Sequence, residues 1–154
     1  MNVGHIFRSK GSELFSIGPD QPLTDAVTLM MSHRIGSLAV MEKGKLVSIV
    51  TERDVMGAVH SDLRRFAELK VRDVMAKRLV CCDARASIDE AMELLFNNDL
   101  GRRIRHLPVR DGERLLGIIS IGDLVQTMLT ETRFENRLLR SYIKNWPEGE
   151  ELHS

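Results

Sequence analysis

The chain has no apolar run approaching the roughly 20 residues that a bilayer-spanning helix requires, so it does not read as a membrane protein. It has no excess of either charge, with 22 Lys plus Arg against 22 Asp plus Glu. A nucleic-acid surface ordinarily rests on a basic excess. Cysteine is scarce: Cys81 and Cys82 are the only two. As neighbours on a strand they point to opposite faces, which suits neither a disulfide nor a shared metal ion. No C-x-x-C or H-E-x-x-H spacing exists, and the five histidines are scattered. Behind His5, Arg8 and Lys10 there is no apolar core, so no secretory signal is read. A nucleophile elbow, a paired acid/base motif and a Gly-rich phosphate loop are all missing. These absences point to a reducing, cytoplasmic protein with no metal and no catalytic set.

What the chain does have is a globular composition, 43% hydrophobic and 29% charged, and a length of 154 residues. That length admits one ordinary domain or two small units, and units of roughly 60 residues bury too little surface to stand alone. The sequence favours two units, because it repeats itself. Thr51-Glu52-Arg53-Asp54 closes the apolar run 46–50, and Ser120-Ile121-Gly122-Asp123 closes the run 115–119, an offset of 69 (51 to 120). Upstream, Leu23, Ala26, Val27 and Met30 lie on one helix face, and Ile88, Ala91, Met92 and Leu95 match them at an offset of 65 (23 to 88). About four residues are therefore inserted within 98–103 of the second half, a polar stretch containing Gly101 that reads as a longer surface loop.

Each unit reads as β-α-β-β-α, an α/β (α+β) class. In the first, a strand over Leu14–Ile17 ends at the turn cluster 18–22, a helix runs from Leu23 to about Ser32, and Lys43-Gly44-Lys45 turns a hairpin. A second helix runs from near Glu52 to His60. In the second unit, Leu79–Cys82 is a strand, Ser87 and Glu90 form a capping box, and Asp111-Gly112-Glu113 turns the hairpin. The last helix starts near Gly122 and runs past Arg140, ending before Pro147. The expected organisation is a lead segment over 1–13, units over 14–60 and 79–130, a partly helical linker over 61–78, and a helical extension and tail over 131–154. The apolar stripe Phe134, Leu138, Leu139, Tyr142 and Ile143 has no counterpart in the first unit; it packs back on its own core or makes a dimer contact. Arg102, Arg103 and Arg105 are a solvated loop or an anion contact.

The hydroxyl-x-x-carboxylate device has two readings. Thr51 with Asp54, and Ser120 with Asp123, suit a helix cap, each residue satisfying a free amide of the other. They also suit a nucleotide. Each stands at the carboxyl end of a strand, where ligands of α/β sheets bind, and at a helix start that favours a phosphate. A carboxylate one turn along can accept from both hydroxyls of a ribose.

The ordered set of motifs resembles a tandem pair of cystathionine-β-synthase (CBS) domains, a Bateman module, as found in stand-alone bacterial-type proteins. The resemblance runs from Leu14 to Leu129 and rests on 23–27, 36–40, 46–54, 106–109 and 117–123, with Val71-Arg72-Asp73-Val74-Met75 similar to the usual start of the second domain. It implies two units packed sheet to sheet in pseudo-twofold fashion, with two clefts for an adenosine ligand: AMP first, or ATP, ADP, NAD(H) or S-adenosylmethionine. Carried over, Asp54 and Asp123 hold ribose hydroxyls, Thr51 and Ser120 contact phosphate, and Arg53 meets phosphate in either cleft. The backbone and side chains around Ser37, Leu38 and Ala39, and around His106, Leu107 and Pro108, line base and ribose, while Ile17 and Val80 flank the adenine. His106 also reads as a half-exposed strand histidine. Gly122 replaces Arg53 in the second unit, and Ser48 stands where that unit has Gly117, so the clefts are unequal. The function implied is a regulatory energy or redox sensor, a homodimer signalling to a partner in trans. The alternatives are a structural dimerisation protein with degenerate pockets, and an enzyme, for which no residues speak.

Overall fold

The computed structural model describes residues 1–10, 13–98, 100–101 and 103–144, the side chains of Ser9 and Lys10 excepted. A 3-10 turn (Val3–His5) and α1 (Ile6–Lys10) precede the first repeat: β1 (Ser16–Ile17), α2 (Leu23–His33), β2 (Ser37–Glu42), β3 (Lys45–Thr51) and α3 (Glu52–Ser61). A 3-10 helix (Leu63–Glu68) and α4 (Val71–Val74) lead to the second: β4 (Cys82–Asp83), α5 (Ile88–Phe96), β5 (His106–Asp111), β6 (Arg114–Ser120) and α6 (Ile121–Lys144). The β-α-β-β-α order thus occurs twice, as expected. The short first strands sit later than the sequence pattern placed them, at Ser16–Ile17 and Cys82–Asp83. Each pairs with its neighbour over two residues only, so Leu14, Leu79 and Val80 lie outside the ladder.

The two sheets have the same topology, β1-β2-β3 and β4-β5-β6, with a parallel first pair and an antiparallel second pair. Even the irregularity recurs, at Val40/Met41 and at Val109/Arg110. The hairpin between β2 and β3 turns on Lys43 and Gly44, both at positive φ (52° and 76°), the backbone of a type I′ turn. The helices leave differently. α2 ends on Arg34 in the left-handed region (φ 54°) and reaches β2 at once. α5 ends on Asn97 (φ −126°), and the chain takes the longer loop through Gly101 (φ 69°). Of the loop positions named from sequence, Asp99 and Arg102 lie outside the described residues, as do Pro147 and the tail.

Each unit has its own core between sheet and helices, built from equivalent residues: Leu23 and Ile88, Ala26 and Ala91, Met30 and Leu95, Leu38 and Leu107, Val40 and Val109, Val50 and Ile119. On strands, alternate residues face opposite ways. Ala39 and Pro108 accordingly turn away from these cores and are buried where the sheets pack on each other in pseudo-twofold fashion. Cys82 is buried in the second core and Cys81 is half-buried. Burial pushes the Cys82 thiol up to about 11.

The first ten residues carry more structure than a lead segment. Val3 N donates to Ala86 O (2.9 Å) and Gly4 N to Ala84 O (2.8 Å), and Val3 and Ile6 enter the second unit's core. The linker does the same for the first unit: Leu23 N donates to Leu69 O (2.9 Å), Val71 N to Gln21 O (3.0 Å), and Val71 enters the first core. The bridges Asn2–Ser87 and Pro22–Lys70 are equivalent. Each unit is thus closed by a strap that precedes the other unit in the chain. Fully burying a side chain such as Val3 contributes about 1.5–3 kcal/mol, which explains why an apolar Val-x-x-Ile stands so early in the sequence. Beneath the straps the units diverge. Ser48, fully buried, donates through Oγ to Ala76 O (2.6 Å). At Gly117 a Cβ would lie 2.6 Å from Phe7 Cε1, so glycine admits that ring.

Candidate ligand site between the two units

In each unit the antiparallel ladder sets the start of one strand beside the end of the next. Ser37 pairs with Thr51, and His106 with Ser120. The helix that follows begins at the same place. Thr51 and Ser120 are therefore both the last strand residue and the helix cap, which brings a hydroxyl, free amides and a carboxylate to one end of the sheet.

Both devices are capping boxes. Asp54 Oδ2 accepts from Thr51 N (2.8 Å) and Thr51 Oγ1 (3.1 Å), while Asp54 N donates to Thr51 Oγ1 (3.4 Å). Asp123 Oδ2 accepts from Ser120 N (2.8 Å), and Asp123 N donates to Ser120 Oγ (3.1 Å). The cap occupies one oxygen of each carboxylate. An ionised carboxylate has about four acceptor sites on two oxygens, so capping leaves it capacity for further donors and fixes where those donors must stand.

A cleft of about 400 Å³ opens between the units beside the second device. Of the residues named from sequence, it brings together Ser37, His106, Ser120 and Asp123. Phe7 from the strap, Phe15 ahead of β1, Glu13, Arg34 and Ile35 after α2, and Glu52 at the start of α3 add to its walls. Gly36 is tightly covered: a Cβ there would meet the Glu52 carboxylate and stand 3.4 Å from His106 Nε2. Phe15 is held by stacking on His33, with ring centroids 3.9 Å apart and planes at 23°. Walls of mixed aromatic and polar character with a few convergent polar groups are those of a small-molecule site.

Arg53 and Asp54 open instead on a second groove, of about 500 Å³, along α3, the 3-10 helix and α4. Thr51 is in neither wall; its hydroxyl is used in the cap. Strand alternation turns the side chains of several residues named from sequence away from both grooves. The side chains of Leu38 and Leu107 point into the helix-side cores and are fully buried, as Ile17 nearly is. Ala39 and Pro108 are buried, and Val80 packs against the second core. The aromatic wall falls to Phe15, two residues before Ile17. The arginine cluster also separates: the Arg103 guanidinium lies 5.5 Å over the Phe96 ring, Arg105 is exposed, and Arg102 is outside the described residues. Sequence reasoning missed Phe7, Phe15, Glu13 and Glu52. Glu52 lies inside the Thr-x-x-Asp motif and was within reach; nothing local to Phe7 signals that it crosses to the other unit. Among the described residues no cluster could hold a metal ion, and no helix is long and apolar enough to cross a membrane.

Comparison with known proteins matches this fold. The sequence pattern of the CBS domain matches residues 3–61 and again 71–130. The CBS domain-containing protein CBSX3, mitochondrial, of Arabidopsis thaliana is 34% identical over 151 residues, covering 92% of this chain and 71% of the relative. Among solved structures, the CBS-domain containing protein ATU1752 from Agrobacterium tumefaciens superposes with a TM-score of 0.76 at 33% identity, over 83% of this chain and 99% of that one. CBSX2, solved in complex with AMP, has the same fold, with a TM-score of 0.68 at 23% identity over 85% of this chain and 98% of that one.

Proposed function

This chain belongs to the CBS domain family, and we propose that it is a regulatory module that binds an adenine nucleotide in the cleft between its units and passes the change to a partner in trans. The observation that carries the reading is the meeting of Ser37, His106, Ser120 and Asp123, drawn from both units, in one cleft at the strand ends. There the carboxylate of Asp123, held by its cap, takes the ribose hydroxyls. Ser120 and the free amides at the start of α6 take a phosphate. Phe15 and Ile118 give the base an apolar wall. Asp54 and Arg53, in the groove along α3, do the same for a second ligand. AMP is the first ligand to test, given the AMP complex of CBSX2; ADP, ATP, NAD(H) and S-adenosylmethionine follow.

The protein acts by binding and not by catalysis, and it is a homodimer. α3 and α6 begin at equivalent residues and expose equivalent apolar side chains, Met56 with Val125 and Val59 with Met128. Such a surface is complementary to a second copy of itself across a twofold axis. Its unpaired thiols suit a reducing compartment such as the cytoplasm.

A second reading is favoured by one observation. Both acids already serve as caps, which is all that a structural dimerisation protein with degenerate pockets would ask of them. A thermal-shift and calorimetric screen with the five adenosine ligands separates the two. Saturable binding of at least one, with no turnover of it, supports the sensor. Dimerisation with every ligand ignored supports the structural protein.

A further inference from the structure

Phosphate-binding clefts are ordinarily basic, and this one is not. Its walls carry three carboxylates, Glu13, Glu52 and Asp123, against one guanidinium, Arg34. The feature belongs to this cleft and not to the repeated frame, because the equivalent positions in the other unit differ in charge. Glu52 N donates to Gly36 O (3.0 Å) and Ile121 N to Arg105 O (2.9 Å), so Glu52 corresponds to Ile121 and Gly36 to Arg105. Glu13 and Arg78 stand equally far ahead of Ile17 and Cys82, which pair in equivalent register with Val40 and Val109. Exchanging the units would thus remove two carboxylates and add two guanidiniums.

Glu52 is the best placed of the three to act on a ligand. It is the first residue of α3. Its carboxylate covers Gly36 beside His106, across the cleft from Ser120 and Asp123. Any side chain at Gly36 would displace it, so glycine there keeps the carboxylate at the cleft wall. Asp123 has a partner in its cap; Glu52 is exposed, and its charge meets whatever extends from the nucleoside.

We infer that the Ser120–Asp123 cleft admits adenylates in inverse order of phosphate number, and that Glu52 is the residue that sets this order. The inference rests on the adenine-nucleotide reading above. The cleft takes adenosine or AMP, whose single phosphate Arg34 and the α6 amides can meet, and it repels the outer phosphates of ADP and ATP. The device is a low-charge filter, so the module would report the loss of phosphates from a nucleotide.

The test is calorimetric titration with adenosine, AMP, ADP and ATP in EDTA at low salt, on the wild type, Glu52→Gln, Glu13→Gln/Glu52→Gln and Asp123→Asn. Each variant is first checked by thermal melting. At the site that Asp123→Asn removes, ATP should bind about five- to ten-fold more weakly than AMP, as two opposed like charges several ångströms away require. Glu52→Gln should narrow the gap about two- to five-fold, the effect of one exposed charge, and leave adenosine unchanged. The double variant should narrow it further, and added salt should narrow it in the wild type. An Asp123-dependent site that binds ATP as tightly as AMP, or a gap untouched by both Glu variants, overturns the filter while the nucleotide reading stands. No adenylate binding by the wild type overturns both.

Discussion

Removing the carboxylate of Asp123 separates the cap that the structure shows from the ribose contact proposed for it. As a cap, its Oδ2 accepts from Ser120 N at 2.8 Å. Asp123→Ala strips that acceptor from a half-buried amide and costs about 1 kcal/mol. Against a total stability of about 5–15 kcal/mol the chain stays folded, and for its size the melting temperature falls by about 2–4 °C. Asp123→Asn keeps an oxygen for Ser120 N and loses only the favourable charge at the helix start, worth about 0.3–1 kcal/mol. In the proposed ligand role, the same carboxylate would accept two charge-assisted hydrogen bonds from a ribose. Losing them costs about 3 kcal/mol, roughly a hundredfold in affinity for AMP. Asn should therefore melt within about 4 °C of the wild type and bind AMP about a hundredfold more weakly. Circular dichroism with calorimetric titration reads both numbers. If Asn binds AMP as the wild type does, Asp123 is a cap and nothing more. If Ala lowers the melting temperature by more than about 10 °C, the acid supports more than one helix turn.

The straps should be as important as the repeats they close. Ile6→Ala, in the second core, should cost about 2–4 kcal/mol. Hydrogen exchange should place the loss in β4–β6 and α5, and not in the first unit, which precedes them in sequence. Gly117→Ala must displace the Phe7 ring at a cost of about 1–3 kcal/mol, and limited proteolysis should then cut the first ten residues sooner. Burial raises the Cys82 thiol to about 11 from 9.0. The folded state therefore holds that proton more tightly than the unfolded one, a stabilising term present in full below pH 9. It is lost as pH climbs from 9 towards 11, so chemical denaturation midpoints should fall across that window and Cys82→Ala should flatten the fall. Met56→Glu together with Val125→Glu should turn the proposed dimer into a monomer by light scattering, with the circular dichroism spectrum unchanged.

The frame of the fold was legible because both of its signals are local. The helix periodicity of Leu23, Ala26 and Met30 and of Ile88, Ala91 and Leu95, and the alternation around Leu38 and Leu107, are written within single elements, and all of these residues are buried. The capping box of Ser87 and Glu90 was equally readable, since its partners are three residues apart. What could not be read was which surfaces meet. Nothing near Phe7 says that its ring lies over Gly117, more than a hundred residues on. The first strands are so short that their own pattern does not fix where they pair, and the cleft wall holds Phe15 where the sequence reading named Ile17. Leu38 and Leu107 were named with Ser37 and His106 through the family resemblance, for backbone and side chains together; since a strand turns adjacent side chains to opposite faces, only their backbone remains toward the cleft end of the sheet.

The exchange of straps also bears on how a binding event could be transmitted. With its own preceding segment packed on it, each unit could move as an independent body, and a ligand between the two would do work only on their contact. Here Val3 and Ile6 lie in the second core and Val71 in the first, so neither unit can shift without moving a segment continuous with the other. Phe7 sits in the same strap and in the cleft wall. A ligand against that ring touches a segment whose remaining apolar residues are anchored under α5 and β6. The symmetric frame supplies the cleft, while the residues that break the symmetry, Phe7 over Gly117 on one side and Ser48 bonded to Ala76 on the other, give its two straps unequal hold. A ligand in the cleft would bias the molecule by as much as it prefers one arrangement of these contacts over another, and unequal straps would make that preference differ between the two ends.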